Sequence, residues 1–376
     1  MRSGLARRYA ISIFIGGLFL FLLDRHLSLT LGEERMSRNW ITALVQSVSN
    51  KQHSVYRFHA NKCKHKYGSI TVVQMVGDAN YMNSTVWNAV HSMRCYCKMR
   101  GYHLYQFNKS GVVQNEITTN NMIAANHAAQ TCSNFPNYIK KRHCIVLHML
   151  SYYDYVIHID ADTGVMNPQH CFEDFIDPDV DLHFLLRVHT NEIQAGHYIL
   201  KNTTISKTFF SSYLAGRLDV INEQPKLQQK ISETFLPPDL HRKCLVKKGE
   251  GYFKWVRCLV SSLHSLKTGT KRLLLYSRAH AFVRDGWANS YHWSAVDFML
   301  HAMKHADDVF FTRRLCAEDC ENGTWFIPSR KERYVESLSA MKKMWLEFDK
   351  RWMPNPKYAL DVGIGHCWPN CPHTTV

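Results

Sequence analysis

Residues 155–168 read YVIHIDADTGVMNP, an apolar run that passes directly into two aspartates, Asp160 and Asp162. The run is near-continuous and rich in β-formers, as expected for a strand covered on both faces. Ligands of open α/β sheets bind at the carboxyl ends of strands. Two carboxylates at such a place suit a hard divalent cation that also holds phosphates. The stretch therefore predicts a central strand and a candidate metal site, with turn-capping carboxylates as the alternative.

The composition sets the class of protein. The chain has 376 residues, 45% of them hydrophobic, which is enough for one large domain or two ordinary ones and argues against disorder. Its formal net charge is +15 at pH 7, but no long Lys/Arg run and no nucleic-acid motif accompanies that charge. An ordinary basic surface, or one that attracts a nucleotide diphosphate or an acidic glycan, is therefore preferred over nucleic-acid binding.

The N-terminal segment predicts a membrane anchor. Arg2, Arg7 and Arg8 precede an uncharged apolar run over residues 9–23. The run is short for a span, so a cleaved signal peptide is the alternative, but no small-x-small cleavage site follows it. Arginines before the run place the N-terminus in the cytoplasm. We expect a cytoplasmic tail (1–8), a signal-anchor helix (9–23) and a polar stem (24–66).

Twelve cysteines in a chain with a secretory start predict disulfides, with the connectivity open. Zinc bound by Cys316/Cys320 and Cys367/Cys371 with His366 and His373 is the alternative. The following asparagines lie in N-x-S/T glycosylation sequons: Asn83, Asn108, Asn202 and Asn322.

The first half of the chain alternates between strand and helix patterns. Residues 69–76 predict a strand, 85–100 an amphipathic helix and 102–107 a second strand, so a β-α-β unit with a parallel, right-handed crossover is expected. Residues 109–135 predict loop with a short helix. A helix over 141–151 then leads to the central strand.

The second half is less regular. Strands are predicted at 181–188 and 197–201 and a helix at 208–218, whereas the Lys-rich residues 222–270 fit no single pattern. Strand, turn and helix are expected in turn over 273–283, the RDGW segment and 296–304. A last helix is expected at 341–352.

Five segments in this order resemble the GT-A glycosyltransferases, most closely family 34, and are similar as well to a nematode-expanded family of uncharacterised transferase-like proteins. The segments are AVHSMRCYCKMRGYHLYQFN (89–108), KRHCIVLHML (141–150) leading into YDYVIHIDAD, AGHYILKN (195–202), NEQPKL (222–227) and DFMLHAMK (297–304). Two departures are a missing glycine near His301 and Lys226 where the family prefers a small residue.

The resemblance implies an α/β fold of the GT-A (Rossmann-like) type. A mostly parallel sheet with flanking helices would form one catalytic domain (67–310) behind the N-terminal anchor. A Cys-rich C-terminal extension (311–376) would pack on that domain. The protein would be a single-pass type II membrane protein of the Golgi with a luminal catalytic domain, and it would not bind nucleic acid.

The implied activity is a metal-dependent transfer, with retention of configuration, of a hexose or pentose from a nucleotide-diphosphate sugar to a glycan hydroxyl. Mn²⁺ or Mg²⁺ would stabilise the charge on the leaving diphosphate. A catalytically silent glycan-binding relative and a metal-dependent hydrolase are the alternatives. The sequence disfavours silence, because both aspartates and the late histidine are present, and it shows no dense His/Asp cluster typical of a two-metal hydrolase.

The resemblance also assigns candidate roles to single residues, each with solvated surface or ordinary core packing as its alternative. Asp160, Asp162 and His301 are the metal ligands, with His366 as the second choice for the histidine. The candidates for donor or acceptor binding are Lys141, Asp160, Gly196, Asn202, Trp287 and Lys304. The candidates for catalysis are Glu223, Gln224 and Asp285. Apart from the resemblance, Asp285 and Trp287 of the RDGW segment are candidates on the acceptor side, because an aromatic face stacks well on a sugar ring.

Overall fold

A computed structural model of the protein describes residues 56–59, 63–108, 110–112, 122–135, 137–216, 218, 223–266, 271–304, 314–315, 324–327, 333–353 and 363–376. The predicted cytoplasmic tail and signal-anchor helix lie outside these ranges, as do most of the predicted stem, Cys316, Cys320 and Asn322. Of the helices within these ranges, none combines the length and the apolar character needed to cross a membrane.

The described strands and helices alternate along the chain. The strands are β1 (Tyr56–His59), β2 (Ile70–Met75), β3 (His103–Asn108), β4 (Gly111–Val112), β5 (Tyr155–Asp160), β6 (Gly164–Val165), β7 (Leu182–Leu186), β8 (Ile193–Lys201), β9 (Leu273–Tyr276), β10 (Val283–Asp285), β11 (Met299–His301), β12 (Thr324–Ile327) and β13 (Thr374–Thr375). The helices are α1 (Ala79–Thr85), α2 (Trp87–Arg100), α3 (Met122–Thr131), α4 (Tyr138–Met149), α5 (Thr204–Ala215), α6 (Glu223–Phe235), α7 (Pro238–Glu250), α8 (Tyr252–Ser265), α9 (Leu338–Trp352) and α10 (Ile364–Cys367). Two short 3₁₀ helices cover Phe172–Phe175 and Gly286–Asn289.

Eight strands form the main sheet, in the order β13-β9-β7-β8-β5-β2-β3-β4. The predicted β-α-β unit is confirmed, since β2 and β3, which precede and follow α2 in the chain, pair in parallel. The central strand β5 pairs in parallel with β2 but antiparallel with β8. The sheet is therefore mixed, and the prediction of a mostly parallel sheet is wrong: β8 returns directly from β7 as a hairpin, which needs no crossover helix.

Local sequence explains where the helices flanking the site begin and end. Gly101 ends α2 in the left-handed conformation, with φ of 82°, and its N–H bonds the Cys97 carbonyl at 2.9 Å. Asn137 caps α4 by accepting a hydrogen bond from the Ile139 N–H at 2.8 Å. The predicted helix over 141–151 is thus confirmed, shifted by a few residues.

The main sheet is covered on both faces, as the apolar run of the central strand predicts. Successive residues of β2 face opposite ways: Val72 packs in one core with α2 and Val73 in the other with α4. The second core also takes apolar residues from α5, α6 and α8. This layered α/β architecture places the loops after β2 and β5 at one edge of the sheet.

Two segments differ from the sequence-based expectation. Residues 222–270, for which the sequence predicts no helix or strand, contain the three helices α6, α7 and α8. Residues 296–304, expected to be helical, contain the strand β11 instead. That strand pairs in parallel with β10 and antiparallel with β6 in a small three-stranded sheet, so long-range pairing outweighs the helical preference of the local sequence.

Disulfides join cysteines far apart and close together in sequence. Those with both cysteines in the described ranges are Cys63–Cys171, Cys132–Cys144, Cys244–Cys258 and Cys367–Cys371. The disulfide prediction is confirmed for these pairs, and Cys367 and Cys371 are therefore not zinc ligands. Cys97 is a free, buried thiol.

The described part of the C-terminal region is joined to the main sheet. Its strand β13 pairs antiparallel with β9, and Trp345 of α9 belongs to a third apolar core that includes Val188 and Ala279.

Candidate functional site

A cleft of about 670 Å³ opens at the edge of the sheet where β2 and β5 end. A volume of this order suits a ligand the size of a nucleotide. The walls carry acidic and basic side chains together, and the predicted residues among them are Asp160, Asp162, Gly196, Glu223, Gln224, His301 and Lys304. Sequence segments that lie far apart are therefore brought to one place.

The acidic corner of the cleft is formed by the turn that follows β5. Asp160 ends the strand, and its carbonyl accepts a hydrogen bond from the Thr163 N–H at 3.1 Å. Asp162 is buried, with its Oδ1 3.5 Å from His301 Nε2 and its Oδ2 3.4 Å from Lys304 Nζ. The two predicted aspartates and the predicted histidine thus lie in one corner.

The small sheet holds His301 in this corner. In the pairing of β10 with β11, Asp285 lies opposite His301, and Asp285 Oδ1 accepts a hydrogen bond from His301 Nδ1 at 2.7 Å. Burial lowers the pKa of His301, but Asp162 and the bond to Asp285 outweigh it and raise that pKa to about 9. Asp285, predicted to face the acceptor, lies behind His301 and orients its ring.

Arg142 bridges the central strand and α6. Its Nη1 lies 2.6 Å from Asp160 Oδ1, and its Nη2 donates a short hydrogen bond to Glu223 Oε1. Burial alone would raise the pKa of both carboxyls, but the guanidinium outweighs it and holds both pKa values below their usual range. Both carboxylates are therefore ionised and fixed in place.

A buried network continues behind Glu223. His143 Nε2 lies 2.7 Å from Glu223 Oε1, and His143 Nδ1 lies 2.8 Å from Tyr198 Oη. Tyr213 Oη donates to the Glu223 carbonyl at 3.1 Å. Glu223 is consequently a rigid wall of the cleft.

Gly196 lets the Asp160 carboxylate occupy its position. The pairing of β5 with β8 sets Gly196 beside the end of β5. A Cβ added at Gly196 would overlap Asp160 Oδ2 and lie 2.8 Å from Asp160 Cγ. The function of this glycine is thus steric: it leaves room for a carboxylate.

His197, which sequence reasoning missed, lies under the acidic corner. Its Nε2 lies 2.7 Å from Thr163 Oγ1 and its Nδ1 lies 2.8 Å from Gln194 Oε1. One ligand atom each of Asp160, His197 and His301 lies within 4.8 Å of the others. Burial and the adjacent His301 hold the pKa of His197 well below its usual value, so the imidazole is neutral.

Gln224 and Arg187 form a further part of the cleft wall. With the Gln224 amide in the orientation that satisfies both of its ends, its nitrogen donates to the Ile193 carbonyl at 2.8 Å. Its oxygen then accepts from Arg187 Nη2 at 3.2 Å. Arg187 also lines the cleft and was not predicted.

Four predicted residues lie elsewhere among the described residues. Lys141 is buried in α4, whereas its neighbour Arg142 reaches the cleft. Asn202 follows β8 at the end away from Asp160, where its N–H bonds the Asp154 carbonyl at 2.8 Å. Trp287 packs between His189 and Trp352. His366 is exposed on α10.

The residues that were missed carry weak sequence signals. Arg142 is next to the lysine that the family pattern singles out. His197 sits inside an apolar strand, where a buried histidine is usually structural. Only the pairing of β8 with β5 brings it near the aspartates.

The acidic corner fits a divalent cation. Asp162 Oδ1 and His301 Nε2 face each other at 3.5 Å, near the spacing of about 3 Å expected between two ligands of one ion with bonds of 2.0–2.3 Å. Carboxylate oxygen with imidazole nitrogen suits Mn²⁺ well and Mg²⁺ less well.

Comparison with known proteins gives a family and a distant similarity. Residues 93–315 match the model of a family described as "Protein of unknown function, DUF273". No curated protein matches the chain. The chain is similar to the solved structure of a glycosyltransferase involved in the glycosylation of the major capsid of PBCV-1. That similarity has 13% identity and a TM-score of 0.34, and it covers 62% of this chain and 92% of the other.

Proposed function

The chain belongs to the DUF273 family of proteins of unknown function, and we propose that its cleft binds a nucleotide-diphosphate sugar and transfers the sugar to a glycan hydroxyl. The observation that carries this proposal is the convergence of Asp160, Asp162 and His301 in one corner of a nucleotide-sized cleft that also presents the cationic side chains of Arg142, Arg187 and Lys304.

The acidic corner is the place for the donor diphosphate. Asp160, Asp162 and His301 would hold a divalent cation, which neutralises charge on the diphosphate as the glycosidic bond breaks. Lys304 lies beside Asp162, and its side chain is 57% exposed. A mobile ammonium at the mouth of the cleft can reach a phosphate oxygen without losing its pairing with Asp162.

The part of the cleft around Arg142 and Glu223 is the place for the donor sugar. Arg142 and Glu223 form a fixed pair whose remaining donors and acceptors suit sugar hydroxyls. Because Glu223 is bound to Arg142 and His143, we assign it to positioning the sugar rather than to attack on it. Gln224 lies next to it and presents an amide to the cleft.

We place this domain in the lumen of the Golgi, behind an N-terminal anchor. The disulfides support that placement, because such bonds persist in oxidising compartments.

The test is nucleotide-sugar binding by the purified full chain in detergent, measured calorimetrically for a panel of UDP- and GDP-sugars with and without Mn²⁺ or Mg²⁺. We expect one donor to bind only when a divalent cation is present, and Asp162→Asn to abolish this binding. Cation-independent binding, or unchanged binding by Asp162→Asn, would contradict the proposal.

A glycan array incubated with that donor then identifies the acceptor. NMR of the product gives the anomeric configuration, and we expect retention. A chain that binds glycans but transfers no sugar would support the alternative of a silent glycan-binding protein.

A further inference from the structure

We propose that His197 is a further ligand of the cation in the acidic corner and that this second imidazole makes the site prefer Mn²⁺ to Mg²⁺. The inference rests on the proposed function, since it concerns the same cation. It adds a ligand from β8 to which the resemblance to the glycosyltransferases assigns no role.

His197 has the right position for a ligand. Its ring centroid lies 4.7 Å from that of His301, with the two rings at 73°. Its ligand atom lies within 4.8 Å of those of Asp160 and His301. An ion at the centre of three such atoms lies at most ~2.8 Å from each, so shifts of about 0.5–0.8 Å bring all three to bond lengths of about 2.0–2.3 Å.

His197 also has the right tautomer. Gln194 Oε1 is 2.8 Å from His197 Nδ1 and is only an acceptor, so Nδ1 carries the proton. The lone pair is therefore on Nε2, the nitrogen near Thr163. A neutral imidazole with its free lone pair directed to the corner is the form that binds metals.

The same arrangement occurs at His301. There Nδ1–H donates to Asp285, and Nε2 is directed to Asp162. In metal sites, ligating histidines usually donate the other ring N–H to an oxygen acceptor, which fixes the ring. The corner thus holds two imidazoles, each tied at Nδ1 and each presenting Nε2.

The alternative is that His197 only positions the turn by accepting a hydrogen bond from Thr163. This bond is 2.7 Å long, and a hydroxyl can rotate away when the lone pair takes another partner. The two explanations differ in what the removal of the Thr163 hydroxyl does. If His197 is a ligand, that removal leaves the imidazole available; if it only positions the turn, that removal is as harmful as the loss of His197.

The choice of ion follows from the ligands. Mg²⁺ prefers oxygen ligands and keeps several waters, whereas Mn²⁺ accepts imidazole. Two imidazoles in place of one therefore favour Mn²⁺.

The experiment uses the full chain in detergent with Mn²⁺ or Mg²⁺ alone. Pulsed EPR of bound Mn²⁺ counts the coupled imidazole nitrogens without any substitution, and we expect two histidines in the wild type and one in His197→Phe. Calorimetry should show Mn²⁺ affinity at least ~10-fold lower in His197→Phe and a smaller change for Mg²⁺. Thr163→Val should retain both nitrogens and nearly the wild-type Mn²⁺ affinity.

One coupled histidine in the wild type would overturn the inference, and so would a loss of Mn²⁺ affinity in Thr163→Val equal to that in His197→Phe. The pulsed EPR count decides the matter even if His197→Phe does not fold. Failure of the proposed function is a different result: the wild type then binds no nucleotide sugar with either ion. A wild type that binds cation and nucleotide sugar but shows one histidine refutes only the assignment of His197.

Discussion

Gly196→Ala should damage the acidic corner through a single methyl group. The new Cβ would overlap Asp160 Oδ2 and lie 2.8 Å from Asp160 Cγ, a distance that real Cβ atoms essentially never show. Either β8 or the carboxylate must shift. Asp160 is held by Arg142 at 2.6 Å, so a shift of the carboxylate lengthens a partly buried ion pair.

The expected cost follows from this geometry. Overpacking by one methyl group in a tight interior costs about 1–3 kcal/mol. We expect a loss of stability of this size in urea unfolding. If the shift falls on Asp160, we also expect Mn²⁺ affinity to fall at least ~10-fold, since each 1.4 kcal/mol is a factor of ten.

Gly249→Ala is the matched control. Gly249 lies in α7, and a Cβ there meets nothing within 4 Å. The control should be unchanged or up to about 1 kcal/mol more stable, because alanine favours the helix, with Mn²⁺ binding unaffected. Wild-type stability and Mn²⁺ affinity in Gly196→Ala would refute the steric reasoning.

Three further outcomes are expected. Arg142→Met should destabilise the fold by about 3–5 kcal/mol in urea unfolding, because it removes the cation that is paired with the buried Glu223 and the partly buried Asp160. Arg142→Lys should cost less, and equal costs would contradict a charge effect. Burial lowers the pKa of His301, but the adjacent carboxylates outweigh burial and raise this pKa to about 9. With EDTA present, protonation of His301 therefore stabilises the fold fully below about pH 6.5, and this stabilisation is lost as the pH rises through 9. Asp285→Asn should flatten that dependence, and an unchanged slope would contradict it. Replacing Cys63 and Cys171 by serine opens a loop of 108 residues and should cost about 2–5 kcal/mol, whereas wild-type thermal stability of that variant would contradict the estimate.

Local patterns were enough to predict the first half of the sheet. The strands β2, β3 and β5 and the helix α2 each have a strong pattern and clear boundaries. The helix α8 also has a strong pattern, since Trp255, Leu259 and Leu263 are buried at intervals of four residues. The surrounding lysines obscure this spacing, so the sequence alone does not predict this helix.

Long-range pairing accounts for what the sequence did not predict. The strand β11 forms because β10 and β6 lie beside it, not because three residues prefer to be extended. The pairing of β10 with β11 places Asp285, an acceptor-side candidate from the sequence, opposite His301 and in a hydrogen bond with it. Arg142 and His197 could not be distinguished from a surface cation and a core histidine until α4, β5 and β8 were assembled.

The small sheet also determines when the acidic corner is completed during synthesis of the chain. Gly164 pairs with Leu300, so the acidic corner is complete only after the ribosome has delivered residues from a much later part of the chain. A nascent chain that ends before β10 already contains β2, β3, β5, β7 and β8 but lacks the histidine opposite Asp162. The strands from β2 to β8 are therefore synthesised before the residues that complete the acidic corner, and a chain stalled in that interval carries the two aspartates without His301.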